Sequence, residues 1–148
     1  MGQEAVSILS NMLDQLGFDA EVEVEQVDEG VCLQIRSPDQ KHLIGSKGDR
    51  LDDIQYLVNR VLQAKLPESE RVRVDCEGYR ARSEAELRDK VLSMAEEVKL
   101  SGKPKRLPPL NAYHRRLVHN FLADDQFVET SSPAGKSRFK KMMIVPKR

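Results

Sequence analysis

Apolar residues in the first half of the chain recur first with a helical period and then with a strand period. Residues 5–16 place them at i, i+3, i+4, i+7 and i+8, which predicts one face of an amphipathic helix. Residues 20–25 and 31–36 alternate between apolar and polar side chains on either side of the turn segment 28–30, which predicts a strand hairpin. The chain is therefore expected to begin with a helix followed by two antiparallel strands.

Two further helices and a third strand are predicted after the hairpin. Residues 37–40 contain the Ser-x-x-Gln pattern of a capping box with proline at the first helical position, so a short helix should begin here and end at Gly45. A longer helix is predicted over 49–66, and residues 71–76 alternate as a third strand. The buried face of the longer helix is predicted to consist of Leu51, Ile54, Leu57, Val58, Val61 and Leu62.

The second half of the chain contains a long helical pattern followed by a smaller mixed segment. Residues 80–100 carry an apolar stripe among interleaved charges, which is typical of a long helix linking two units. Residues 103–109 are basic and proline-rich and should form an extended connection or a short strand. A helix capped by asparagine is predicted over 111–123, with strands over 127–131 and 138–145. The complete pattern is that of an α+β protein.

The formal net charge of the 148 residues is zero, but the charges are unevenly distributed. Residues 1–77 contain 8 Lys and Arg against 16 Asp and Glu, and residues 78–148 contain 16 against 8, so the two halves carry −8 and +8. This asymmetry predicts two domains with these bounds, the second of which includes the linking helix 80–100. A polyanion should be attracted to the second domain, whereas the first domain would bind it only through a local basic patch.

A glycine-rich loop stands between the two helices of the first domain. Residues 45–48 read Gly-Ser-Lys-Gly and follow the apolar pair at 43–44. Two glycines three residues apart allow backbone conformations that other residues avoid, and they permit close approach of a sugar-phosphate chain. Lys47 supplies a positive charge, and the free N–H groups at the start of the next helix favour an anion. The alternative is a plain linker between two helices, because the tetrapeptide alone is a weak signal.

The order of elements around this loop resembles that of a type II KH domain, αββααβ, over residues 4–77. KH domains clamp about four nucleotides of single strand with such a loop. The resemblance implies a groove formed by Leu51 together with Ile44, Gly45, Ser46, Lys47, Gly48 and Arg50. Core packing is an equally good explanation for Ile44 and Leu51. A loop with only one basic residue predicts a modest grip on phosphate.

A second candidate site lies on the helix predicted over 111–123. Arg115 and His119 are four residues apart, so they share one helical face away from the apolar stripe. A guanidinium can bind a phosphate or stack on a base, and an imidazole can do the same through a hydrogen bond or stacking. A lone histidine is more often an ordinary surface or structural residue. Its neighbours favour a nucleotide-binding face, which comprises Asn111, Tyr113, Arg115, Arg116, His119, Arg138 and Lys140.

Arg-x-x-x-His on a helix that leads into antiparallel strands resembles the R-3-H motif. The complete order of elements resembles the bacterial Jag family of SpoIIIJ-associated proteins, mainly through residues 43–59 and 111–125. This resemblance implies a cytoplasmic protein that binds single-stranded RNA and regulates expression after transcription, with a link to cell elongation, division and shape. It also implies a small single-KH protein as a partner, and single-stranded DNA stays open as an alternative ligand. Many members carry an extra N-terminal domain and linker, for which we see no room in this sequence.

Several other classes of protein are disfavoured. The sequence lacks Gly-x-Ser-x-Gly, phosphate-loop and His-Glu-x-x-His motifs, so we predict neither an enzyme nor a cofactor. Cys32 and Cys76 show no metal-ligand spacing and should lie on opposite faces of one sheet, so neither a metal site nor a disulfide is predicted. No apolar run approaches the ~20 residues that span a bilayer, and no signal peptide is recognisable. The main alternative function is a protein-interaction adaptor whose acidic first domain docks a protein.

Overall fold

The computed structural model describes residues 2–147; Met1 and Arg148, the latter counted among the basic residues of the C-terminal end, lie outside the description. The chain divides into two compact units, residues 1–81 and 82–148. Domains bounded at residues 77 and 78 stay a prediction. Each unit has its own sheet and its own hydrophobic core. No helix among residues 2–147 is long and apolar enough to cross a bilayer.

The first unit has the predicted order of elements. These are α1 (Gly2–Gln15), β1 (Glu21–Val27), β2 (Gly30–Arg36), α2 (Gln40–Ile44), α3 (Asp49–Lys65) and β3 (Arg73–Cys76). A single 3₁₀ turn at Ser46–Gly48 separates α2 from α3. β2 is the central strand of the sheet and pairs antiparallel with β1 and parallel with β3. This arrangement confirms the predicted αββααβ fold.

The core of the first unit is formed by α1, α2, α3 and one face of the sheet. The buried side of α3 is narrower than the sequence predicts, because Leu57 and Val61 are 50% and 37% exposed. Each lies one position, or about 100° of helical rotation, before a fully buried residue, Val58 or Leu62. Assigning Leu57 and Val61 to the buried face was therefore wrong.

The cysteines lie on opposite faces of the sheet, as predicted. The parallel register places Cys76 beside Ile35 on the core face, whereas Cys32 pairs with Arg73 on the other face. Both cysteines are buried free thiols. Burial, followed by the nearby carboxylate of Asp75, raises the pKa of the Cys32 thiol.

The connection from β2 to α2 differs from the predicted capping box. α2 begins at Gln40, and the preceding Asp39 makes no side-chain cap. Ser37 is buried; its hydroxyl donates to the Asp19 carbonyl at 2.5 Å and accepts the Asp39 N–H at 3.0 Å. The capping box was therefore wrong, since the serine hydroxyl connects two loops instead of starting the helix.

Side chains complete the hydrogen bonding along the outer edge of β3. Asn59 accepts the Val72 N–H and donates to the Val72 carbonyl, both at 2.8 Å. Gln55 Oε1 accepts the Val74 N–H at 2.9 Å, and the Val74 carbonyl accepts from Arg80 Nε at 2.9 Å. An uncovered strand edge would present these groups to another chain. Here they are satisfied by the unit itself.

The second unit contains most of α4 (Tyr79–Ser101) and a three-stranded antiparallel sheet. Its other elements are β4 (Lys105–Leu110), α5 (Ala112–Phe121), β5 (Val128–Ser131) and β6 (Lys140–Pro146). β6 lies between β4 and β5. The proline-rich segment, predicted as a connection or a strand, thus forms β4. Its core consists of Val91, Ala95, Val98, Leu107, Val118, Leu122, Val128, Met142 and Ile144.

An ion pair closes the turn between α5 and β5. Lys99 Nζ lies 2.8 Å from a carboxylate oxygen of Asp125, which also accepts the N–H groups of Phe127 and Val128 at 2.8 and 3.1 Å. The bond from Lys99, followed by that from Phe127, lowers the pKa of Asp125. The carboxylates of Asp125 and Glu96 raise the pKa of Lys99. The charge of Lys99 is therefore largely compensated within the second unit.

Asn59→Ala is expected to lower the free energy of unfolding by about 1–3 kcal/mol, because the N–H and carbonyl of Val72 would lose their buried partners. Urea denaturation followed by circular dichroism measures this change. Asp53→Ala alters an exposed position of the same helix and should change stability by less than about 0.5 kcal/mol. Equal stability of the two variants would contradict a stabilising role for Asn59 at the β3 edge.

Candidate nucleic-acid interface

The loop between α2 and α3 reverses the chain through three residues with left-handed backbone conformations. Gly45, Lys47 and Gly48 have φ angles of 75°, 55° and 81°. Such angles are costly for residues that carry a Cβ atom and are readily adopted by glycine. The Gly-x-x-Gly pattern in the sequence thus corresponds to a backbone requirement at both of its ends.

Space as well as backbone angle requires glycine at these two positions. A Cβ atom on Gly45 would overlap Asp49 Oδ1 and would lie 2.8 Å from Arg50 Cβ. A Cβ atom on Gly48 would lie 2.9 Å from Cε1 of Tyr79, whose ring packs against the turn. The loop is therefore closely packed on its inner side.

The outer side of the loop is formed by Ser46 and Lys47, which are both exposed. Arg50, predicted at the rim of the groove, is exposed as well, but its Nη1 donates to the His42 carbonyl at 2.6 Å. Arg50 thus ties the start of α3 to α2. Among the loop residues, Ser46 and Lys47 are the ones most accessible to a ligand.

The apolar residues beside the loop pack into the core of the first unit. Leu51 is 0% and Ile44 is 9% exposed, and both belong to the core cluster. Of the two explanations that the sequence left open, core packing describes Leu51 fully. Ile44 keeps only a narrow accessible edge, so any contact with a ligand is secondary to its packing.

A cleft of about 410 Å³ lies between α3 and β3. It is lined in part by Arg60, Arg71 and Arg73 and by Tyr56, whose side chain is 63% exposed. Arg73 forms an ion pair with Glu29 at 2.8 Å. This basic cleft lies in the acidic half of the chain, and the sequence analysis missed it. Its residues lie on separate elements and meet only because β3 runs back along α3.

One end of the cleft is filled by a guanidinium of the unit itself. In addition to its main-chain bond to β3, Arg80 donates from Nη1 to Asp52 at 2.9 Å and from Nη2 to Gln55 at 3.3 Å. Asp52 and Gln55 also line the cleft, and the Arg80 side chain is only 17% exposed. A ligand must therefore lie toward Arg60 and Arg71 or displace the guanidinium.

In the second unit, Arg115 and His119 lie on α5, and each contacts a neighbouring segment. Arg115 is half-buried, and its Nη1 donates to the carbonyls of Leu110 at 2.6 Å and Arg138 at 3.3 Å. His119 is exposed, and its Nδ1 lies 2.5 Å from Thr130 Oγ1. Arg115 thus ties the start of α5 to the segment before β6, and His119 joins α5 to β5.

Two of the other predicted residues have structural contacts near the start of α5. Asn111 is the N-cap, and its Oδ1 accepts the His114 N–H at 2.8 Å. Tyr113 is 45% exposed and donates its hydroxyl to Glu84 at 2.7 Å. The predicted cap at Asn111 is confirmed, and its side-chain oxygen is used for that purpose.

Exposed cations surround this end of α5. Arg116 and Arg138 are exposed, and Lys140 is half-buried at the start of β6. Because Arg115 bonds to the Arg138 carbonyl, the basic segment 136–141 lies beside the start of α5. Together these residues form a positive surface on the second unit, suited to attract a polyanion.

Comparisons with known proteins agree with the arrangement of the second unit. The R-3-H domain family matches residues 85–144. Similar proteins include an "RNA-binding protein KhpB" from Clostridium symbiosum, 31% identical over 147 residues, which are 98% of this chain and 66% of that protein. Proteins of the same name from Lactiplantibacillus plantarum and Bacillus subtilis are 29% and 24% identical, over 82% and 92% of this chain. The chain spans 38% and 67% of the lengths of those two relatives.

Gly45→Ala is expected to destabilise the protein more than Gly17→Ala does. Both glycines have positive φ angles, 75° and 84°, but only at Gly45 would a Cβ atom meet other atoms. The backbone penalty common to both is about 1–2 kcal/mol, and the overlap at Gly45 adds to it. Urea denaturation of the two variants measures the difference. Equal losses would contradict the close packing of the loop.

Proposed function

We propose that this chain, which belongs to the Jag family, binds single-stranded RNA through one site in each unit. The observation that carries the proposal is the exposed Ser46–Lys47 turn between two glycines that no larger residue fits without displacing neighbouring atoms. The relatives named RNA-binding protein KhpB and the match to the R-3-H domain support RNA as the ligand.

In the first site, the sugar-phosphate chain lies against the turn at residues 45–48. The absence of Cβ atoms at the two glycines lets it approach the main chain, where Lys47 neutralises a phosphate. The accessible edge of Ile44 and the side chain of Arg50 flank this path. Phosphate contact without a base-reading group gives affinity rather than sequence preference.

The cleft between α3 and β3 extends the first site. Arg60 and Arg71 provide positive charge at its rim, and Tyr56 provides an exposed ring on which a base can stack. Arg80 blocks the end of the cleft at Asp52 and leaves the opposite end for the ligand. The single strand therefore passes the turn first and then bends toward the arginines of the rim.

In the second site, α5 and the start of β6 bind an adjoining nucleotide. Arg116, Arg138 and Lys140 contact phosphates, and the exposed ring of His119 contacts a base or a sugar. Arg115 mainly positions this surface through its bonds to two main-chain carbonyls. Asn111 and Tyr113 complete the face through whatever surface their own hydrogen bonds leave accessible.

Carrying both sites on one chain strengthens each of them. When one site has bound a strand, the second binding step becomes intramolecular and proceeds at a high effective concentration. Two modest sites then retain an RNA that neither would hold alone. This property suits a binding protein, and we accordingly propose a cytoplasmic regulator linked to cell elongation rather than an enzyme.

A protein-interaction adaptor is the second candidate function, and β1 is the observation that favours it. β1 is an edge strand of the first sheet, and its residues are exposed apart from Val22. An exposed edge can accept a strand from a partner, and a small single-KH protein is the partner that the family implies. In this case RNA binding would be incidental.

A gel shift with short single-stranded RNA and DNA at two salt concentrations separates these functions. RNA that shifts at low salt and is released as salt rises supports the main proposal, because phosphate contacts are weakened by salt. A protein that shifts neither nucleic acid at low salt would be better explained as an adaptor. Equal shifts by RNA and DNA would remove the preference for RNA.

Ser46→Asp combined with Lys47→Asp is expected to weaken RNA binding at least tenfold without unfolding the protein, because both side chains are exposed. A tenfold loss corresponds to about 1.4 kcal/mol. Fluorescence anisotropy with labelled RNA measures affinity, and circular dichroism monitors folding. Ser7→Asp with Lys65→Asp changes the net charge equally at exposed positions of α1 and α3 and serves as the control. Equal affinities of the two double variants would exclude the loop as a contact.

Arg115→Ala combined with His119→Ala is expected to weaken binding and to flatten its salt dependence. For a single strand, each lost phosphate contact lowers the slope of log K against log salt by about 0.7. Because Arg115 also bonds to Leu110 and Arg138, the melting temperature of the variant is measured in parallel.

Arg116→Ala tests the same surface at an exposed side chain, and Arg88→Ala on α4 is the matched control. The first should reduce the salt slope and the second should not. If neither the Arg115/His119 pair nor Arg116 alters the slope, the second site does not contact phosphate.

A further inference from the structure

Phe139 is an exposed aromatic residue beside the second proposed site. Its side chain is 43% exposed, and the guanidinium carbon of Arg138 lies 5.2 Å from its ring centroid. The ring does not belong to the core cluster of the second unit. A single exposed aromatic residue needs no explanation by itself, so its surroundings decide its meaning.

The surroundings of Phe139 are basic and are positioned by Arg115. Residues 136–141 read Lys-Ser-Arg-Phe-Lys-Lys and contain no carboxylate. The Arg115 guanidinium holds the Arg138 carbonyl at 3.3 Å, which places the segment beside the start of α5. An aromatic ring among fixed cations is the arrangement with which proteins bind single strands, where cations hold the backbone and rings receive bases.

We propose that Phe139 is the platform on which a base of the bound RNA stacks, next to the phosphate contacts of the second site. This inference rests on the proposed function and adds to it the residue that receives a base. Arg138 interacts with the ring through its cation, and the exposed part of the ring stays accessible to a nucleobase. Because every base has a π face, Phe139 should contribute affinity without sequence preference.

Phe127 provides an internal comparison with the same local chemistry. It is 64% exposed, and Lys99 Nζ lies 5.9 Å from its ring centroid. Lys99, however, is paired with Asp125 and Glu96, so little net positive charge is left to hold a phosphate there. Phe127 also lies at the other end of the sheet, where its carbonyl accepts the Lys147 N–H beyond the end of β6.

The first test uses the absence of tryptophan from this chain. Phe139→Trp and Phe127→Trp each introduce one fluorescent ring, and each variant is titrated at low salt with an eight-nucleotide oligouridine and an eight-nucleotide oligoadenosine. We expect both RNAs to quench the fluorescence of Phe139→Trp and to leave that of Phe127→Trp nearly unchanged. Bound RNA, detected by anisotropy of an end label, without quenching in Phe139→Trp would overturn the proposal.

The second test measures affinity and salt dependence separately. Phe139→Ala should weaken binding about tenfold, at the low end of the loss expected for one stacked base, with an unchanged salt slope. Phe139→Tyr should retain the affinity, and Phe127→Ala should have no effect. Arg138→Ala should instead lower the slope by about 0.7, because it removes a phosphate contact.

The outcomes separate this inference from the function on which it rests. If the unaltered chain binds neither RNA at low salt, both the proposed function and the stacking role fail. If the unaltered chain binds and Phe139→Ala binds equally well while remaining folded by circular dichroism, only the stacking role fails. A loss of affinity that Phe139→Tyr does not restore would also count against stacking, because the phenol ring preserves the π face.

Discussion

The left-handed reversal at residues 45–48 is the constraint on which the first unit depends. It directs α3 back from α2 so that the helix packs beside β3, where Asn59 and Gln55 meet main-chain groups of that strand. The same reversal brings Gly48 against Tyr79, at the beginning of α4. A loop that is packed this closely on its inner side can present only its outer residues. The position of the proposed phosphate contact therefore follows from the packing that makes the turn possible.

Periodicity along the chain was sufficient to predict the order of elements in both units. Its failures occurred where an individual side chain had a partner distant in sequence. Ser37 was expected to cap a helix, but its hydroxyl bonds to the carbonyl of Asp19. Leu57 and Val61 fit an apolar stripe, yet the sheet and α1 cover only the neighbouring strip of α3.

The candidate site was predictable in part for the same reason. Local motifs identified the glycine turn and the Arg/His helix, because each lies within one short stretch of sequence. The cleft between α3 and β3 depends on Arg60 and Arg71 meeting across two elements, which no local pattern indicates. The structural duties of Arg115 and Arg80 were equally hidden, since both guanidinium groups bond to main-chain carbonyls far from motif positions.

The two units use their charges differently. In the first, several basic side chains are already paired with carboxylates, as in Arg36 with Glu23 at 3.0 Å and Arg80 with Asp52 at 2.9 Å. In the second, the segment 136–141 has no carboxylate of its own. Long-range attraction of a polyanion should therefore act mainly on the second unit, and the first unit should contribute through fitted contact at short distance.

The two edges of the first sheet are protected against unwanted pairing by different means. At β3, side chains occupy the main-chain groups that an incoming strand would need. At β1, Glu21, Glu23 and Glu25 line one face, so two copies that met edge to edge would bring rows of like charge together. Fibril growth through this sheet is thereby opposed, by steric occupancy at one border and by repulsion at the other. The acidity of β1 thus helps to keep concentrated protein dispersed.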